Sequence, residues 1–173
     1  SLNAFNLWWI VSGARGMEVS DKLLAVGIAN AKTVGLMLFS CLYLFATLQQ
    51  VFIRGGLAKM QDHLLRNFFV SLILVNAAFF LFQTQSHDRY AFPLSVFLLL
   101  WMPFLKKIKL FSLFYILYSL FYFYNLHTAL VFNYPLNGFP ILSSLIQPTL
   151  TIAASIIQIA LFGIFLLFVA KQS

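Results

Sequence analysis

Charge is what this sequence has least of. Only 9% of its 173 residues are Asp, Glu, Lys or Arg, and the acids are four: Glu18, Asp21, Asp62 and Asp88. A soluble chain is about 25% charged, so a water-covered domain is excluded. A disordered chain is excluded too, because disorder needs high charge and little apolar content. The same arithmetic excludes collagen, coiled coil and nucleic-acid-binding domains. Cysteine occurs once, at Cys41, so there is no internal disulfide and no cysteine-based metal site. The sequence has no His-Glu-x-x-His, no Gly-x-Ser-x-Gly and no Gly-rich phosphate loop. It also lacks internal repeats, the alternating segments of a membrane barrel and the basic-then-apolar start of a signal peptide.

Apolar side chains fill the space left by charge. The composition is 62% hydrophobic and 18% aromatic, with 21 Phe, and the mean hydropathy is +0.92. A fold of this size cannot bury that much apolar surface in itself, so the surplus faces lipid. A helix needs about 20 residues to cross a hydrocarbon layer. The runs predict an all-α, polytopic integral membrane protein of about five transmembrane helices, at 33–53, 64–82, 90–105, 108–126 and 150–170. Residues 1–32 read as an extracytoplasmic or interfacial segment, and 33–173 as the helical membrane domain. Trp8 and Trp9 suit the membrane interface, where an indole buries its ring and keeps its N–H wet. Ser20 and Asp21 read as the cap of a short helix leading into the first span. In 127–149, Asn133, Pro135, Asn137, Gly138, Pro140 and Pro148 predict a structured loop or a re-entrant turn. The chain opens on Ser1 rather than Met, which reads as processed, trimmed or cut from a longer protein.

The connecting segments sort the cations. Five spans put Arg54, Lys59, Arg66, Lys106, Lys107, Lys109 and Lys171 on one side, and Arg15, Lys22, Lys32 and Arg89 on the other, with Glu18, Asp21 and Asp88. Seven cations against four make the first side cytoplasmic by the positive-inside rule. The N-terminus and the 83–90 loop then face the extracytoplasmic side, and the C-terminus faces the cytoplasm. A net charge of +7 is accounted for by topology and anionic lipid, without a nucleic-acid partner.

The most polar stretch beside the bilayer is Gln83-Thr84-Gln85-Ser86-His87-Asp88-Arg89-Tyr90, followed by Ala91-Phe92-Pro93. Arginine offers a planar fork of donors that matches phosphate oxygens. His87 can donate to the same anion or carry a proton near neutral pH. Asp88 can orient either one, and Tyr90 and Phe92 supply an aromatic edge. Chemically this is a lipid-phosphate or headgroup site. A solvated turn whose Arg and Asp anchor it among headgroups has the same composition.

His87-Asp88-Arg89-Tyr90-Ala91-Phe92-Pro93 resembles the His-Glu-Arg-Tyr-x-x-Pro signature of some GT-C-type membrane glycosyltransferases, which use polyprenyl-phosphate-linked sugars. The opening Asn3-Ala4-Phe5-Asn6-Leu7-Trp8 is similar to a stretch that precedes that signature in the same proteins, and the order is kept. Asp88 stands in place of the more usual Glu. The resemblance implies that His87 and Arg89 contact the phosphate of a lipid-linked sugar donor, with Asp88 and Tyr90 beside them. The catalytic acid of such enzymes, in their first extracytoplasmic loop, has no counterpart here. The chain is therefore expected to be the C-terminal part of such an enzyme, which does no catalysis alone. The alternative expectation is a catalytically inactive relative serving as a structural or accessory subunit of a larger membrane complex. The partners implied are the bilayer, a polyprenyl-phosphate lipid and other membrane subunits.

Other polar residues sort by helical spacing. Phe111, Tyr115, Tyr118, Tyr122 and Asn125 share one stripe, read as a helix-packing seam in preference to the wall of a prenyl or pigment groove. Thr151, Ser155 and Gln158 make a similar face on the last span, and Asn76 lies inside the second. His63, His87 and His127 do not pair on one face, so no haem or other metal ligation is expected. No span carries an Asp, Glu, Lys or Arg away from its ends, which argues against a pump, channel or proton-coupled transporter.

Overall fold

The computed structural model describes residues 3–51, 64–105 and 107–170. Helices dominate it. After a one-turn helix α1 (Leu7–Val11) come a 3-10 turn (Gly16–Glu18) and a small hairpin of β1 (Ala25–Val26) and β2 (Ala29–Asn30). The long helices are α2 (Ala31–Val51), α3 (Leu64–Phe82), α5 (Ile108–Asn133) and α7 (Pro148–Ala170). Shorter α4 (Phe92–Trp101) lies between α3 and α5, and α6 (Pro140–Ser143) is a single turn before α7. Arg54, Lys59, Asp62, His63, Lys106 and Lys171 lie outside the described residues, so the cations of one side are not traced in full.

Among the described residues, three helices are long and apolar enough to cross a membrane: α2 over Ala31–Leu48, α3 over Leu65–Phe82 and α7 over Pro148–Val169. The remaining two expected spans differ from them for separate reasons. Residues 90–105 are not one α-helix, because 3-10 turns at Asp88–Ala91 and Met102–Phe104 flank the ten residues of α4. Pro93 is tolerated in the first turn of α4, whereas Pro103 has no N–H to continue the ladder and ends it. Helix α5 has ample length at 26 residues, about 39 Å. Its tyrosines, Asn125 and His127 interrupt it, so it has no span-length stretch as apolar as those of the three. It also runs to Asn133, seven residues beyond the expected end at 126.

The expected capped helix at Ser20 and Asp21 is replaced by the hairpin. Gly27, at φ +63, supplies a backbone conformation costly to other residues, and the chain reverses there. The cap of α2 is Asn30, whose side-chain oxygen accepts from the Thr33 backbone N–H and from the Thr33 hydroxyl, both at 2.9 Å.

One aromatic core joins α3, α4, α5 and α7. Trp101 meets Phe111 and Phe165 edge-on, each at 5.3 Å between centroids. Along the expected stripe of α5, Phe111, Tyr118, Tyr122 and Asn125 are buried, and Tyr115 is half-buried against the same core. Tyr118 and Tyr122 stack at 6.1 Å, and the Tyr118 hydroxyl donates to the Ala91 carbonyl at 3.2 Å. Thr151, Ser155 and Gln158 of α7 are buried as well, and the Gln158 amide donates to the Phe121 carbonyl of α5. Outward faces are the reverse of a soluble protein's. Met37, Leu44 and Leu48 on α2, Leu113, Ile116 and Leu120 on α5, and Leu167 on α7 are exposed.

Candidate functional site

A helix ends with carbonyls that have no partner in its own ladder. Those of α3, just before the polar turn, are taken by the N-terminal segment. The Asn6 side-chain amide donates to the Phe80 and Gln83 carbonyls, both at 3.1 Å. The Trp8 indole N–H donates to the Phe82 carbonyl at 2.6 Å. The Asn6 side-chain oxygen meanwhile accepts from the Trp8 and Trp9 backbone N–H groups and caps α1. Both indoles are thus 2% exposed, packed inside the helical assembly instead of lying at a wet interface.

A second clamp comes from α5. Asn125 accepts from the Phe5 backbone N–H at 3.1 Å and donates to the Asn3 carbonyl at 2.7 Å. Asn3 in turn forms an antiparallel bridge with His87. A third comes from Asp21, whose carboxylate accepts from the Thr84 hydroxyl at 2.7 Å and from the Gln85 amide at 3.5 Å. The two sequence stretches that carry the resemblance therefore meet, about eighty residues apart in the chain. In the sequence, the spacing of Asn125 puts it on the packing stripe but names no partner, and Asn6 carries no sign of its role. Nothing local distinguishes a clamping asparagine from a solvated one.

The turn itself is a short 3-10 helix, Asp88–Ala91, entered from extended His87. His87 and Asp88 are partly exposed, and Arg89 and Tyr90 are exposed. The Arg89 guanidinium lies 5.7 Å from the Tyr90 ring centroid, a cation–π contact. His87 meets the same ring edge-on at 5.2 Å. Burial pushes the Asp88 carboxyl above the usual carboxylate range. The backbone N–H groups of Asp88 and Arg89, then the Arg89 and His87 charges, oppose that shift. Tyr90 also packs on Phe79 of α3 at 5.6 Å, so one ring joins the end of α3, His87 and Arg89. His87 and Arg89 thus meet at the Tyr90 ring, and Asp88 lies between them in the same turn. Ser86, beside them, is fully buried and its hydroxyl has no partner among the described residues.

Below the turn, α3, α4, α5 and α7 line a narrow apolar cleft with room for only about 20 Å³. Ile73, Leu98, Phe114 and Phe165 form its walls, with Tyr118 and Gln158 as its polar members. Comparison of this chain with family models, curated proteins and solved structures finds no match.

Proposed function

We propose that this chain is the C-terminal membrane part of a GT-C-like glycosyltransferase. It binds a polyprenyl-phosphate-linked sugar on its extracytoplasmic side through His87, Asp88, Arg89 and Tyr90. The observation that carries this reading is Arg89, exposed at a turn that three separate clamps hold in place, its guanidinium resting on Tyr90. A fork of charged donors on a fixed backbone suits phosphate oxygens, and orientation fixed in advance lowers the cost of binding. His87 adds a second donor when protonated. Neutralising the phosphate would also ease departure of the sugar from it. In this reading all five helical segments cross, the N-terminus and the turn are extracytoplasmic, and the C-terminus is cytoplasmic.

A second reading, an inactive relative acting as an accessory subunit of a larger membrane complex, is favoured by Asp21. A glycosyl transfer needs a base against the acceptor hydroxyl, yet Asp21 is engaged with Thr84 and Gln85.

Binding of a polyprenyl-phosphate analogue to the purified protein in lipid nanodiscs tests the first reading. Arg89→Ala should weaken binding by about tenfold or more, the effect of one lost charge-assisted hydrogen bond. Lys107→Ala, in the α4–α5 connection at the other end of α5, should leave it unchanged. Equal losses from both would reduce the site to general attraction between cations and an anionic lipid. Arg89 is exposed, so an unchanged melting temperature separates lost binding from lost folding.

A further inference from the structure

Between α5 and α7 the chain makes a compact excursion, with a 3-10 turn at Pro135–Asn137 and then α6. Its side chains are those of a buried core, yet they are open. Leu136 is 98% exposed, Ile141 82%, Tyr134 62% and Phe139 61%. No Asp, Glu, Lys or Arg occurs anywhere from Leu110 to Ala170. Eight of the twelve N–H groups in residues 134–147 have partners, those of Leu136, Gly138, Ile141 and Leu142 excepted. N–H groups of Tyr134, Asn137 and of Ser143 through Gln147 all bond to carbonyls one turn or less away. Pro135, Pro140 and Pro148 have no N–H to satisfy. The Phe139 N–H is taken by His127 Nε2 at 2.9 Å, and the His127 ring stacks on the Phe139 ring at 5.8 Å. The Tyr124 hydroxyl donates to the Leu145 carbonyl at 2.7 Å, and the Ser144 hydroxyl to the Ile141 carbonyl at 2.7 Å.

Water satisfies open backbone groups without any such arrangement, so a loop in water does not need one. Lipid does need it, because an unpaired N–H or C=O has no alternative partner there. We infer that residues 134–147 form an interfacial element, its backbone at headgroup level where water reaches the remaining N–H groups and its Leu136 and Ile141 side chains inserted among acyl chains at the membrane boundary. Continuity supports the occupant: α7, apolar enough to span, begins at Pro148 directly after the segment. His127, 3% exposed, serves the element by accepting its Phe139 N–H, for which no nearby carbonyl is the partner. Gly138 makes the approach to α5 possible, because a Cβ there would lie 2.4 Å from Val131 Cγ2 and 2.5 Å from Ser143 Oγ. The inference rests on the membrane reading of α7 and is independent of the sugar-donor site.

Nitroxide labels test it in phosphatidylcholine vesicles, with Cys41→Ser as background. Labels at Leu136→Cys and Ile141→Cys should collide mainly with dissolved oxygen, as acyl-chain sites do. A label at Gln85→Cys, on the exposed polar turn, should collide mainly with a water-soluble nickel chelate. Nickel dominance at 136 and 141 would place the loop in water and overturn the inference. Immobile labels shielded from both reagents would put protein, not lipid, over it, and would overturn it equally. A label at Ile164→Cys separates the two levels. Oxygen dominance there with nickel dominance at 136 and 141 rejects this element alone. Nickel dominance at 164 as well rejects the membrane reading beneath it.

Discussion

The side-chain amide of Asn6 donates to two carbonyls at the end of α3 while its oxygen accepts from two N–H groups of α1. It is fully buried, so every group it abandons stays out of water. Asn6→Ala should cost about 2 kcal/mol or more, the sum of a lost cap and stranded carbonyls. Asn6→Asp keeps the cap but replaces the donor with a charge, and should be no better. Thermal melts of the detergent-solubilised protein decide this, and melting temperatures equal to wild type would reject the clamp. Asp88 gives a pH signature. Its carboxyl is held above its usual value by burial, so the native state binds more protons than the unfolded one between the two values. Its ionisation therefore costs stability above the raised value, and the cost disappears as pH falls through it. Asp88→Asn should melt higher than wild type at neutral pH, and the two should converge in acid below the ordinary Asp value of 3.8. A constant offset at all pH values would assign the effect to packing and not to charge.

Helix α2 meets α3 through a glycine. A Cβ at Gly35 would sit 2.6 Å from the Phe82 carbonyl oxygen and 3.2 Å from the Trp8 ring, so the helix approaches where the Trp8 hydrogen bond closes. Gly35→Ala must therefore move either α2 or the Trp8 clamp, at about 1–3 kcal/mol. Gly163 of α7 has nothing within 4 Å of the equivalent position, and Gly163→Ala should change stability by no more than about 1 kcal/mol. A comparable loss at both positions would show that the α2–α3 contact is not the cause. The existence and apolar character of these helices were legible in the sequence, since an unbroken hydrophobic run is a local property. The ending of α4 at Pro103 was legible in principle and α5's continuation to Asn133 was not. Asn133, at its last turn, looks like a breaker, yet its side chain donates to the Ala129 carbonyl inside the helix.

The whole molecule is a helical assembly with an apolar exterior, closed at one end by its own N-terminal segment. Among the described residues, three helices have the length and hydropathy to cross a membrane. Whether α4 and α5 cross too changes the side on which their connection lies. A cysteine at Lys107→Cys, in the Cys41→Ser background, discriminates. With five crossings it reacts with an impermeant maleimide only after cells are opened, while Gln85→Cys reacts in intact cells. If α4 and α5 stay on one side, both react together. Gln85 is the suitable reporter of the turn because it is exposed, whereas Ser86 is fully buried.

Composition and order along the chain by themselves determined that this protein is helical, that it carries more apolar surface than most soluble folds, and where its polar turn lies. These follow from how many charges there are and how far apart they fall. The His87–Tyr90 turn stood out for the same reason: it is a polar island between apolar runs. Only the tertiary structure decided that Asn3–Trp8 folds against that turn, that Asn125 grips the segment, and that His127 receives a backbone N–H from the α5–α7 connection. Each of these is a buried polar group finding a partner far away in sequence. The physical need for a partner is local and general. Which residue fills it depends on how the helices pack, and no short stretch of sequence carries that information.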